Sequence, residues 1–367
     1  MIINNLSFEN FRNLQDKKIS FNKNMNVIYG DNAEGKTNLL EALWLFCGGH
    51  SFRNNKESEL IKFNEDFYKL RAEFYSNNRE QNAEIRYIEN KNKKQVFIND
   101  IEKKSSSYLT EVFSSVVFFP DHLDLIKDTK SKRRKFLDTA ICQQNVKYAT
   151  KLSLYNKTLK QRNTLLKDIY IHKELKDTVS IWDEYLSIYG AKIIKERYEY
   201  IKKLKEIAKK YHFGISNNKE ELNLTYLSDV EINETYDIKK IKEELYIKLN
   251  ESLNDDIRYG HTNIGPHRDD MLVEINNISA KTFASQGQQR SAVLSLKLSE
   301  AELLYIKNDE RPIILLDDVL SELDNKRQDY LLNEIKDYQV FVTCCEKSNK
   351  EQLKNGKIFF VNEGNIK

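Results

Sequence analysis

Four cysteines are all that this 367-residue sequence has, and neither their spacing nor their neighbours form a ligand set. Cys47, Cys142, Cys344 and Cys345 include no Cys-x-x-Cys pair and no matching histidine cluster, which speaks against a zinc site and against a disulfide framework. No apolar run approaches the roughly 18 residues a membrane-spanning helix needs. The opening residues MIINNLSFENFRN lack the basic and apolar regions of an export signal. A charge excess is missing as well. Lys and Arg number 59 against 56 Asp and Glu, and a net charge of +3 does not by itself argue for a polyanionic partner. What remains is a chain with 40% hydrophobic residues, long enough for two or three domains. A soluble, reduced, cytoplasmic protein is the expectation.

Charge is unevenly placed. Between Lys147 and Tyr211 there are 16 Lys and Arg against 8 Asp and Glu, a local excess of +8. Solvated helix faces and a polyanion-binding face account for it equally well. The texture also changes along the chain. Short strand patterns (IINNLSFENFRN, KKISF, MNVIYG) precede a helical pattern, TNLLEALWLF, and a β-meander follows from about Phe67 to Asn99. After the strand SSVVFF and Pro120, helical patterns dominate from about Asp121 to Ile257. Ile194, Tyr198, Ile201, Leu204, Ala208 and Tyr211 line one helix face, and Ile241, Leu245, Leu249, Leu253 and Ile257 another. A protruding coiled coil and a compact bundle both fit these stripes. Strand texture returns after Gly260 with MLVEINNIS, a helix from about Gly287 to Lys307, and the strands RPIILLDD, YQVFVTCC and KIFFVNEGNI. The order implies an α/β nucleotide domain in two halves, 1–120 and 258–367, with a helical arm, 121–257, inserted between them.

The stretch GDNAEGKT carries the first chemistry. Gly30, Asp31, Asn32, Ala33, Glu34, Gly35, Lys36 and Thr37 match the phosphate-loop pattern in full, between an apolar strand and a helix. Glycines let consecutive N–H groups turn inward around a phosphate, and the helix directs its positive end at the same group. Lys36 supplies a point charge to the β and γ phosphates, and the Thr37 hydroxyl suits Mg²⁺. The apolar strand PIILLDD ends in two acids, of which Asp317 is the candidate metal ligand and Asp318 the candidate general base for the attacking water. A third element, FASQGQQR, precedes a helix that Ser285 is placed to cap. Together with SELD, Ser321 to Asp324, it resembles the signature motif and D-loop of ABC-type ATPases. In that class Ser285, Gly287 and Gln288 of one copy would cover the γ-phosphate of ATP held by another, and ATP joins a head-to-head dimer.

Further stretches narrow the resemblance. FENFRN (8–13), GDNAEGKTNLLEAL (30–43), GGHSFR (48–53), VVFFPDHLDLIKDTKSKRRKFLD (116–138), TNIGPHRDD (262–270), ASQGQQRS (284–291) and LLDDVLSELD (315–324) resemble the RecF family, relatives of the Rad50 and SMC heads. The resemblance implies an ABC-type ATPase head with mixed β-sheets and an inserted helical arm, using ATP and Mg²⁺. It also implies a cytoplasmic, nucleoid-associated homodimer that binds single-stranded DNA and gapped or junction duplex. With RecR and RecO such a protein promotes loading of RecA and the SOS response, and slow hydrolysis opens the dimer. A chromosome-organising head of the SMC kind is the alternative, but it would require a long coiled coil with a hinge or hook.

Two features set the expected rate. Asp318 stands where many ABC ATPases carry a longer Glu, which implies slow turnover, and Thr343 stands where transporters carry a switch histidine. Candidate DNA or interface contacts are Arg12, Arg53 and the run Lys132, Arg133, Arg134 at a helix start. A surface role without DNA fits each of them too. His267 and Arg268 have no metal partner at ligand spacing and are read as structural or head-interface residues.

Overall fold

The computed structural model describes residues 1–48, 50–53, 56–169, 171–232, 237–345 and 356–367, so Gly49 of the GGHSFR stretch lies outside the described residues. Two compact units divide the chain. The first comprises residues 1–124, 214–218 and 286–367, and the second residues 125–213 and 219–285.

The first unit begins with β1 (Ile2–Glu9), β2 (Lys17–Ser20), β3 (Met25–Tyr29) and α1 (Lys36–Trp44). It continues through β4 (Phe67–Ser76), β5 (Arg79–Ile88), β6 (Lys93–Ile98), β7 (Ile101–Lys103) and β8 (Ser115–Phe118). Every second residue of β4 up to Phe74 is buried, the alternation of a sheet with one wetted face. That sheet is antiparallel and runs β2-β1-β4-β5-β6-β7. Its hairpins turn at Asn77-Asn78 and Asn99-Asp100, all four in the left-handed conformation that Asn and Asp tolerate.

The second unit contains α2 (Lys130–Gln144), α3 (Val146–Ile169), most of α4 (Val179–Ile215), β9 (Leu222–Leu227), α5 (Ile238–Glu251) and α6 (Leu253–Tyr259). It ends with β10 (Asp270–Ile275), β11 (Ile278–Ser279) and α7 (Ala280–Phe283). Ile194, Ile201, Leu204 and Ala208 of the α4 stripe are buried, as are Ile241, Leu245 and Leu249 of α5. Two expectations are corrected here. LNLTYL, read within a helical stretch, is the strand β9, and the second boundary falls at Gln286 rather than at residue 258. One cause underlies both. β10 pairs antiparallel with β9 along its whole length and with β11 on its other edge, so residues 270–279 belong to the sheet of the insertion. A six-residue strand between helical patterns carries no periodicity strong enough to announce this long-range pairing.

The first unit resumes with α8 (Gln286–Asn308), β12 (Ile313–Asp317), α9 (Asn325–Glu334), β13 (Val340–Cys344), β14 (Lys357–Asn362) and β15 (Asn365–Ile366). The second sheet of this unit runs β15-β14-β3-β13-β12-β8, with every pairing parallel except β14 to β15. β8, β12 and β13 are buried along their full length, as strands covered on both faces must be. Parallel strands present their carboxyl ends along one edge. The loop after β3 and the acids ending β12 therefore emerge side by side, where ligands of open α/β sheets bind. Among the described residues, no helix is long and apolar enough to cross a membrane.

The last turn of the chain braces that edge. Gly364 donates its N–H to the carbonyl of Glu34 at 2.9 Å and accepts from the N–H of Gln15 at 2.9 Å. Its φ is +74°, and a Cβ there would lie 1.8 Å from the carbonyl oxygen of Asn13. Gly364→Ala should therefore lower stability by on the order of 2–3 kcal/mol, read as a reduced midpoint in urea. An unchanged midpoint would show that the turn gives way freely.

Candidate functional site

The loop from Gly30 to Gly35 closes the space between β3 and α1. Gly30 is required by close approach, since a Cβ on it would lie 2.2 Å from the carbonyl oxygen of Val361 in β14. The loop tip Asp31, Asn32 and Ala33 is exposed, with Ala33 at φ +68°, while Gly35 and Lys36 are buried. Asn13 steadies it from below, donating to the carbonyls of Ala33 at 3.4 Å and Glu34 at 3.2 Å and accepting from Asn38 at 2.8 Å. The Lys36 ammonium donates to the carbonyls of Gly30 and Asp31, each at 2.7 Å, and stands 3.7 Å from the Cys345 thiol. Its charge is thus held inside the loop. The first N–H groups of α1 have no partner within the helix and face the same side.

Asp317 lies at the heart of the site. Its Oδ1 accepts from the Thr37 hydroxyl at 2.8 Å and from the Thr343 hydroxyl at 2.9 Å. Thr343 in turn accepts from the Asp318 N–H at 2.8 Å. One buried hydroxyl therefore joins both acids that end β12. Burial pushes the Asp317 carboxyl up from its ordinary range, against the pull of the two hydroxyl donors. Asp318 has φ +54°, a strained conformation for a non-glycine residue, and Ser321 donates to its carbonyl at 2.7 Å and to its carboxylate at 3.2 Å. The Thr37 hydroxyl and the Asp317 carboxylate are hard oxygen donors of the kind that hold Mg²⁺, which takes few protein ligands and fills its shell with water and phosphate oxygens. Among the described residues no group of three or more His, Cys, Asp and Glu is arranged for a metal ion, so a softer, fully protein-ligated ion has no such home there.

The signature segment opens α8. Ser285 is exposed, Phe283 just before it is 74% exposed, and Gly287 and Gln288 are half-buried. Its helix is tied to the D-loop by charge. Arg290 pairs with Glu322 at 2.9 Å, and Arg327 donates to the Ser291 hydroxyl at 2.8 Å while pairing with Asp324. Ser291 donates on to the Gly287 carbonyl at 3.0 Å. Sequence reasoning named Ser321 to Asp324 but not these ties, nor Thr343 as the link between two acids. An arginine next to a motif on each partner was the available signal.

The cationic candidates divide. Arg53 donates to Asn38 at 2.9 Å, one residue beyond Thr37, and its charge is felt at Asp317. Arg12, by contrast, donates from all three nitrogens within the head, to both carboxylate oxygens of Glu41 at 3.0 and 3.1 Å and to the Glu59 carbonyl at 2.7 Å. Its reading as a DNA contact is corrected, because the fully buried Glu41 needs that partner, with Ser51 as a further donor. Arg133 is corrected likewise. It is buried in a two-pronged pair with Asp270 at 2.7 and 3.0 Å and also donates to the carbonyls of Leu125, Ile126 and Asp128. Lys132 is exposed and paired with Asp128, and Arg134 is half-buried. The excess between 147 and 211 shrinks too, since Arg162 is buried between Asp183 and Asp256, and Arg197 is buried against Asp138. His267 accepts at Nδ1 from Tyr155 at 2.7 Å and donates from Nε2 to the Thr262 carbonyl at 3.0 Å. Burial lowers it to about 4, so it is neutral at pH 7 and fully engaged in packing the second unit.

A phosphate loop, a strand ending in two acids beside it, and a signature helix tied to a D-loop together define an ABC-type ATPase head. The RecF/RecN/SMC N-terminal domain family matches residues 2–367. The chain is 39% identical over 361 residues to the DNA replication and repair protein RecF of Acetivibrio thermocellus, covering 98% of each chain. To that of Caldanaerobacter subterraneus subsp. tengcongensis it is 41% identical over 356 residues, covering 96% of each. A solved structure of the recombination mediator protein RecF-ATPrS in the RecFOR pathway superposes with a TM-score of 0.93 at 40% identity, covering 99% of this chain and 97% of that one. An Smc head domain from Pyrococcus furiosus, at 16% identity and a TM-score of 0.55, shares the fold. The chain belongs to the RecF family.

Glu41 offers a direct check on the site's foundation. Glu41→Gln removes the charge from a fully buried group that Arg12 grips with two nitrogens. It should cost on the order of 3 kcal/mol, measured as a shift in the urea midpoint, because the guanidinium keeps its charge and loses its counter-ion. A shift below about 0.5 kcal/mol would show that Arg12 finds water instead.

Proposed function

We propose that the chain is an ATP-dependent DNA-binding protein of recombinational repair and replication restart, whose ATP-bound form is a head-to-head dimer. The observation that carries the reading is the linked set Thr37, Asp317, Thr343 and Asp318 at the mouth of the phosphate loop. Its near relatives are named DNA replication and repair proteins, and one of them is described with ATP in the RecFOR pathway. By that likeness the partners are DNA, RecR, RecO and, downstream, RecA with the SOS response.

In this reading Gly30 to Thr37 cradle the triphosphate, with Lys36 neutralising its β and γ groups. Thr37 and Asp317 would hold Mg²⁺, which when bound supplies charge neutralisation of the phosphates. Asp318 takes the proton from the attacking water, with the Thr343 hydroxyl holding its backbone N–H. Ser285, Gly287 and Gln288 of a second copy close over the γ-phosphate. The exposed Phe283 side chain beside them is apolar surface that such a partner would cover. Because Asp318 is one methylene shorter than glutamate, turnover is slow and hydrolysis acts as a timed release of the dimer and of DNA.

Light scattering with and without Mg²⁺-ATP tests this reading. The wild-type chain should double in mass with ATP and bind DNA more tightly. Lys36→Ala should bind no nucleotide, whereas Asp318→Asn should bind it and hydrolyse about 10²- to 10⁴-fold more slowly. A wild-type chain that stays monomeric with Mg²⁺-ATP, and binds DNA equally well without it, would overturn the proposal.

Thr343 has its own test. Thr343→Val keeps the shape of the side chain and removes the hydroxyl, so hydrolysis should fall about tenfold with nucleotide affinity little changed. Thr343→Ser should restore the rate. Equal rates for Val and Ser would mean that the hydroxyl positions nothing.

A further inference from the structure

Asn13, the last residue of the FENFRN stretch, lies between β1 and β2 and takes no part in the proposed chemistry. Its side-chain amide nevertheless donates to two consecutive carbonyls of the phosphate loop, those of Ala33 at 3.4 Å and Glu34 at 3.2 Å. The Glu34 carbonyl also accepts from the Gly364 N–H at 2.9 Å, so two donors hold it. In a planar trans peptide the carbonyl and the N–H of the following residue point in opposite directions, and no peptide bond among the described residues is cis. Holding the carbonyls of Ala33 and Glu34 toward Asn13 therefore turns the N–H groups of Glu34 and Gly35 away from it. Neither N–H has a hydrogen-bond partner among the described residues. Consecutive N–H groups turned to one side are what a phosphate loop offers an anion.

Gly35 shows how closely the amide is fitted. A Cβ on Gly35, whose φ is +116°, would lie 2.8 Å from Asn13 Oδ1 and 3.3 Å from its Nδ2. The glycine thus makes room for Asn13 as well as supplying the left-handed backbone. The orientation of the amide is fixed too. Arg53, which can only donate, gives to Asn38 Oδ1 at 2.9 Å, and Asn38 gives to Asn13 Oδ1 at 2.8 Å. Asn13 then gives to the two loop carbonyls, which can only accept. A relay that begins on a guanidinium and ends on carbonyls has one polarity. Turning either amide over would lose bonds on both of its sides.

We propose that Asn13 is a positioning residue for nucleotide binding, which aims the N–H groups of Glu34 and Gly35 at the phosphates, and that Asn38 keeps its amide in the required orientation. The inference rests on the reading that the loop from Gly30 to Thr37 holds a nucleotide. The hydrogen bonds of Asn13 and Asn38 go to the loop, to each other and to Arg53, and none reaches Asp317 or Asp318. Their contribution therefore falls on the grip of the loop rather than on the chemical step.

The test compares the full-length wild-type chain with Asn13→Ala, Asn38→Ala and the double variant. Each is titrated with fluorescent N-methylanthraniloyl-ADP and assayed for hydrolysis across a range of ATP concentrations. Each single variant should bind the labelled ADP about tenfold more weakly. KM for ATP should rise in step, with kcat within about threefold of wild type. The double variant should lose about tenfold to twentyfold rather than the roughly hundredfold of independent sites, because Asn38 acts through Asn13. Asn13 is exposed and Asn38 half-buried, so neither truncation opens the core, and Asn38→Ala decides the matter should Asn13→Ala fail to fold. A wild-type chain that binds no labelled ADP would overturn the nucleotide reading and this inference with it. A wild-type chain that binds it, with both single variants within about twofold, would overturn this inference alone. So would a fall in kcat with KM unchanged, the mark of a general distortion, and a roughly hundredfold loss in the double variant would overturn the relay.

Discussion

A carboxylate at the buried end of a fully buried strand is unstable by itself, and Asp317 holds that position because two hydroxyls donate to it. The rest of the nucleotide end depends on this arrangement. Thr37 belongs to the helix after the phosphate loop and Thr343 to the neighbouring strand β13, so a single oxygen of Asp317 gathers three segments far apart in the chain. The parallel register that places Asp317 opposite Thr343, and Thr343 opposite Ile28 of β3, makes the gathering possible. Thr343 then passes the constraint to Asp318, whose left-handed backbone would otherwise relax.

A second constraint runs outward from the same acids. Ser321 binds Asp318, Glu322 pairs with Arg290, and Arg327 joins Asp324 to Ser291. The D-loop is therefore bonded to Asp318 at one end and to the helix α8 at the other. A change of ligand beside Asp318 has a short bonded route to the segment that, in the proposed dimer, meets the other copy. This is a physical connection within one chain, and it supplies what a nucleotide-timed clasp requires.

The second unit uses charge differently. Arg133, Arg162 and Arg197 are buried and paired with Asp270, with Asp183 and Asp256, and with Asp138. Such pairs hold geometry more than they add stability, and losing one partner would strand a buried charge. The GPHRDD segment is at the centre of them. Pro266 accepts from Arg197, His267 bonds Tyr155, and Asp270 receives Arg133. A basic segment in the sequence is thus partly an internal scaffold.

The sequence by itself determined the glycine loop between β3 and α1, the apolar strand that ends at Asp317 and Asp318, and the long helix that follows Ser285. Each of these is local, written in spacing, glycine placement or an unbroken apolar strand, and local patterns survive in one dimension. It did not determine the strand β9, the return of the chain at Gln286, or which of Arg12, Arg53, Arg133 and Arg134 face inward. Those depend on partners more than twenty residues away, such as β10 for β9, Glu41 for Arg12 and Asp270 for Arg133. An arginine reads alike in sequence whether it meets a buried carboxylate or solvent. Only the tertiary structure brings a buried carboxylate to Arg12 and to Arg133.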